Sequence, residues 1–182
     1  MEQPTTPQEV LAFWQDAGPN AWFTKDLDFD ALCRERFLDA YERAAAGELE
    51  TWEQTAEGAL ALIVLLDQMP RNMFRGDPRT WATDPLALAV ANRALAKGFD
   101  GQISGDMQQF FYLPFMHAED LAAQTRSLLL YEARGDAENL KFARHHRDIV
   151  ARFGRFPHRN EVLGRESTPE ELAFLEKDAF RG

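Results

Sequence analysis

Along most of the chain, apolar residues recur every three to four positions, the spacing that lines one face of an α-helix. Thr6-Pro7-Gln8-Glu9 opens the first such run. Thr6 can cap, Pro7 suits the first turn, and Glu9 completes a capping box. Val10, Phe13 and Trp14 follow, and Gly18-Pro19 closes the run before an aromatic loop, Ala21-Trp22-Phe23. From Asp28, read as a cap, one face carries Phe29, Leu32, Cys33, Phe37, Ala40 and Tyr41, the other Arg34, Glu35, Asp39 and Glu42, and Gly47 ends the helix. Ala59 to Met69 is apolar nearly all round, which places it at the centre of a core, closed by Pro70. Thr83-Asp84-Pro85 opens a further helix that ends at Gly98.

The second half continues in the same way. Asp106 to Met116 is aromatic-rich, with Pro114 forcing a bend or break. Ala118 to Ala133 reads as a helix ending at Gly135. Asp136 caps the next, which runs to Gly154, and Thr168-Pro169-Glu170-Glu171 starts a last one carrying Leu172, Phe174, Leu175 and Phe180. No segment alternates with period two. The pattern predicts an all-α fold, a compact array of antiparallel helix pairs forming one domain over residues 1–182. The aromatic pairs Phe13-Trp14 and Trp22-Phe23, with Trp52 and Trp81, read as core.

Charge narrows the functional classes. The net charge is -10, which opposes nucleic-acid and membrane binding. The distribution is uneven. From Lys141 to Arg165 seven bases face two acids, a net of +5 that leaves -15 on the remainder. Cys33 is the only cysteine, so no intrachain disulfide can form, and Met1–Pro7 lacks the regions of a secretory signal. The longest apolar run, Ala59 to Leu66, is far short of the roughly 20 residues of a membrane span. A cytoplasmic protein is expected.

Two short phrases stand out chemically. Pro70-Arg71-Asn72-Met73-Phe74-Arg75-Gly76 and Phe156-Pro157-His158-Arg159-Asn160, the second followed by Leu163-Gly164-Arg165, both place Arg-Asn just past a proline with another Arg and a Gly behind. Guanidinium forks grip carboxylates and phosphates bidentately. Arg71, Asn72, Arg75, Arg155, His158, Arg159, Asn160 and Arg165 are therefore candidate ligand-binding residues for a small anionic metabolite. The competing reading is structural: such arginines complement helix C-termini or pair with internal acids such as Asp67 or Glu119. His117 and Glu119, set among aromatic residues, are candidate catalytic acid–base groups, while Asp120 reads as a helix cap. His145 and His146 point about 100° apart, one to solvent and one inward. No metal-ligand spacing, phosphate-binding glycine loop or nucleophile elbow is present, so no metal or cofactor is expected, and Cys33 reads as packing.

Leu65–Asn72, Tyr112–Asp120 and Arg152–Asn160 resemble the hallmark blocks of the domain of unknown function 924 family, and Phe13-Trp14 and Trp22-Phe23 resemble its N-terminal part. Met69, where a large aromatic is common, and Ala118, where serine is usual, depart from the family pattern. The resemblance implies an all-α fold of the tetratricopeptide-like superhelical class in a bacterial-type family, and it implies no activity. Three functions compete: binding or turnover of a small anion by the Arg/His/Glu/Asn cluster, a helical module for a protein partner, and a purely structural ion-pair network. Oligomeric state is not encoded in any recognisable feature.

Overall fold

The computed structural model describes residues 4–177, and among them every regular element is helical. α1 (Pro7–Trp22) begins with the expected capping box: Thr6 Oγ1 accepts from the Glu9 amide, and Glu9 Oε2 accepts from the Thr6 amide at 2.7 Å. Gly18 breaks the helical backbone with φ +73°, a conformation glycine adopts without cost, so Pro19 starts a separate last turn. α2 (Leu27–Ala45) is capped by Asp26 rather than Asp28, its Oδ1 accepting from the amides of Asp28 and Phe29. Asp28 instead falls in the first turn, where a negative charge suits the helix dipole.

The apolar central segment is longer than its sequence pattern predicts. α3 (Ala56–Ile63) passes into a π-helical turn (Val64–Gln68) and then α4 (Met69–Met73), so Pro70 does not close it. Proline cannot donate to the carbonyl four residues back. That carbonyl, on Leu66, accepts the Thr83 hydroxyl at 2.6 Å instead. α3 packs against α1 and against α5 (Asp84–Ala96). In the first turn of α3, a Cβ on Gly58 would lie 2.0 Å from the carbonyl oxygen of Trp52, in the segment between α2 and α3. Gly58→Ala is therefore expected to cost about 3 kcal/mol or more by overpacking against backbone, read as a lowered denaturation midpoint.

Backbone packing sorts the chain into two compact units. The first contains α1 to α5 and runs to Pro114, apart from Gly76–Pro78, which group with the second. The division passes through α6 (Leu113–His117). The second unit contains α7 (Leu121–Arg134), α8 (Ala137–Phe153) and α9 (Pro169–Lys177). Asp120 caps α7 as expected, accepting from the Ala123 amide at 2.7 Å. Gly135, at φ +73°, ends α7, and Asp136 caps α8, so α7 and α8 form a tight hairpin. Ile149, Val150 and Phe156 form a buried cluster, with Phe153 and Phe174 packed on it.

The core assignment holds for Trp14 and Trp22, which are buried, but not for Phe23, which is 61% exposed. Trp52 and Trp81 are partly buried. Phe180 lies outside the described residues. Among the described residues, no helix is long and apolar enough to cross a membrane.

Candidate functional site

The two Arg-Asn phrases fall in different units and have different surroundings. In the first unit, Arg71 and Asn72 lie in α4, where adjacent positions point about 100° apart. Arg71 makes a two-point pair with Asp84, Nη1 to Oδ1 and Nη2 to Oδ2, each 2.9 Å. It also donates to the Asp67 carbonyl and lies 3.6 Å from the Asp67 carboxylate. Burial opposes its charge, but Asp84 and Asp67 more than offset this and raise its pKa. Arg71 therefore joins α4 to the first turn of α5.

Asn72 and Arg75 point instead to Asp30 of α2. Asn72 Nδ2 donates to Asp30 Oδ1 at 2.8 Å, and Arg75 donates from Nε (2.5 Å) and Nη2 (3.0 Å). Asp30 is 8% exposed, so these contacts satisfy a carboxylate that water reaches poorly. The three residues line a cleft of about 610 Å³, with Lys25, Leu27, Ala31, Arg34 and Glu35 completing its lining. Arg34 donates to the Met73 carbonyl and lies over the Phe74 ring. The cleft has the volume of a small-molecule site and is broadly open to solvent. Cys33, on the inward side of α2, is fully buried, and burial, then Asp30, pushes its thiol up to about 12, so it stays protonated.

In the second unit, the other phrase is woven into polar contacts. Glu119 accepts from Arg165 Nη1 (2.6 Å) and Nη2 (2.9 Å) and from the Phe156 amide (2.7 Å). Burial works against the Glu119 charge, but Arg165 and the Phe156 amide prevail and lower its pKa, so it is ionised near neutral pH. Arg155 makes a two-point pair with Glu171 at 2.7 and 2.9 Å. Asn160 accepts from Arg165 Nε and donates to Ser167 and Glu171. Arg159, 6% exposed, donates to the His117 carbonyl at 3.0 Å and lies 4.6 Å from the Phe156 ring centre. His158 lies beside that ring, with centroids 5.8 Å apart.

His117 and Glu119, the candidate acid–base pair, therefore have separate surroundings. The Glu119 carboxylate is held by Arg165, whereas the His117 ring lies 6.4 Å from that of His146. His146 is buried, and its Nδ1 lies 2.8 Å from the Phe142 carbonyl oxygen, which can only accept, so Nδ1 carries the proton. His145 is only partly buried, matching the expected inward–outward split. Among the described residues, no group of three His, Cys, Asp or Glu side chains could hold a metal ion.

Residues 10–179 match the family described as "Bacterial protein of unknown function (DUF924)". The chain belongs to this family. A solved structure of a protein of unknown function from Agrobacterium tumefaciens is 50% identical. The match covers 94% of this chain and 97% of that one, with a TM-score of 0.91. No curated protein matches the chain. The DUF924 fold is thus all-α, and neither the family nor the Agrobacterium protein carries an assigned activity.

Sequence reasoning did not single out Lys25, Asp30 or Arg34 as site residues. Lys25 and Asp30 belong to no motif, and Arg34 reads as one charge on a solvated helix face. A signal was nonetheless present: Leu27, Ala31 and Arg34 are spaced i, i+4, i+7, which puts them on one face of α2.

Proposed function

We propose that this DUF924 protein binds a small anionic ligand in the cleft of its first unit, in the cytoplasm. Charge carries the reading. Lys25, Arg34 and Arg75 face Asp30 and Glu35 around the cleft, a local +1 on a chain of net charge -10. Asp30 neutralises Arg75, while among the described residues Lys25 and Arg34 pair with no carboxylate. An anion entering the cleft meets these two cations and the Arg75 guanidinium, whose Nε and Nη2 already bond Asp30. The sole thiol, buried and protonated, suits the reducing setting. For the second phrase the geometry favours the structural reading, because Glu119, Glu171 and the Phe156 carbonyl accept from Arg155, Asn160 and Arg165.

The test is a thermal-shift titration with acetate and with inorganic phosphate, using wild type and the Lys25→Gln/Arg34→Gln double variant. Saturating ligand at 100 times its Kd adds about 2.7 kcal/mol to wild-type stability. The double variant is expected to bind about ten-fold or more weakly, since a hydrogen bond to a charged group contributes roughly 1.5–3 kcal/mol. Equal responses in the two proteins would remove the cleft from consideration.

A further inference from the structure

Resting on the anion-binding reading above, we infer that the ligand is an amphipathic monocarboxylate, its head at Arg34 and Arg75 and its aliphatic chain along α2. Three observations carry this. The first is the order of residues on the helix. At 100° per residue, Leu27, Ala31 and Arg34 fall within about 60° of one another, so they form one ridge along the cleft wall. With a rise of 1.5 Å per residue, Leu27 lies about 10 Å along the axis from Arg34. Along this ridge the wall runs from the Arg34 guanidinium through Ala31 to Leu27, the span of a medium-chain acid.

The second observation is exposure. Leu27 is 69% exposed and Ala31 is also exposed, although α2 has a complete buried face through Cys33, Phe37, Ala40 and Ala44. Leu27 is thus not needed for packing α2 into its unit. With Ala31 it presents apolar surface beside the charged groups of the cleft, and burying that surface against a hydrocarbon chain is favourable. The third is the charge balance. The lining sums to +1, so one carboxylate neutralises it, whereas a phosphate dianion leaves an excess negative charge beside Asp30 and Glu35. Asp30 already holds Arg75 through Nε and Nη2, so the remaining Nη1 is oriented before a second carboxylate arrives.

The experiment is isothermal titration of acetate, butyrate, hexanoate and octanoate, with inorganic phosphate alongside, into wild type, Leu27→Asn and Arg34→Gln. Each methylene buried against the wall should tighten binding by about two- to four-fold in wild type. Leu27→Asn, on an exposed position, should keep acetate binding and flatten the chain-length series. Arg34→Gln should weaken every carboxylate by a similar factor. Equal affinity for acetate and octanoate in wild type would overturn the amphipathic assignment and leave the anion site standing. A chain-length series that survives Leu27→Asn would overturn it as well. No binding of any carboxylate or of phosphate would overturn the anion site itself.

Discussion

Asp84→Ala is expected to destabilise the protein by about 3 kcal/mol, because it removes the carboxylate that grips a largely buried Arg71 at two points. The Asp84 side chain is about 10% exposed and meets Arg71 at two points, both 2.9 Å. Removing it also takes an acid from the first turn of α5, where it complements the helix dipole. Asp67 stays 3.6 Å from the guanidinium and limits the loss. Urea denaturation of the variant measures the change. A contrasting substitution is Glu170→Ala. Its pair with Arg152 is exposed on both sides, so stability should barely move. An Asp84→Ala protein as stable as wild type would mean that Arg71 does not depend on this pair.

The second large effect is on acid stability. Burial, reinforced by His117, His145 and Arg159, lowers His146 from 6.5 to about 3, while its bond to the Phe142 carbonyl opposes the shift. Between those values the unfolded chain binds a proton that the folded chain refuses. Stability therefore rises with pH across this window and falls as pH drops below about 6.5. The loss is on the order of 4 kcal/mol by pH 3. Glu119 and Glu171 add to it in the same direction, but only below their unfolded value of 4.5. For Glu171, the bond from Arg155 is the main cause of a shift down to about 2. His146→Phe is thus expected to flatten stability between pH 6.5 and 4.5 and to leave the steeper fall below it. Denaturation midpoints over this range decide the matter; an unchanged slope in the variant would place the acid sensitivity elsewhere.

These outcomes separate what local sequence encodes from what it does not. The caps at Thr6, Asp120 and Asp136 were legible because each bonds an amide only three residues away. Pro70 misleads because its rule assumes an unbroken i to i-4 ladder. The π turn before it and the Thr83 hydroxyl, 17 residues away, satisfy the carbonyl that proline cannot. The two Arg-Asn phrases look alike in sequence, yet their partners are remote. Arg75 meets Asp30 across 45 residues, and Arg165 meets Glu119 across 46. Asp67 and Glu119 could be named beforehand as acids near such arginines, but Asp30, Asp84 and Glu171 could not, since spacing says nothing of long-range pairing. Arg34 was hidden for another reason: on a polar helix face, a cation lining a cleft and one in open water have the same periodicity.

Whether the anion site lies in the first-unit cleft is decided most directly by NMR mapping of an acetate titration on isotope-labelled protein. An anion site in the cleft gives saturable shifts confined to the amides of Lys25–Glu35 and Asn72–Arg75, which surround it. Shifts centred instead on Arg155–Arg165 would contradict it and return the second phrase to the role of ligand site.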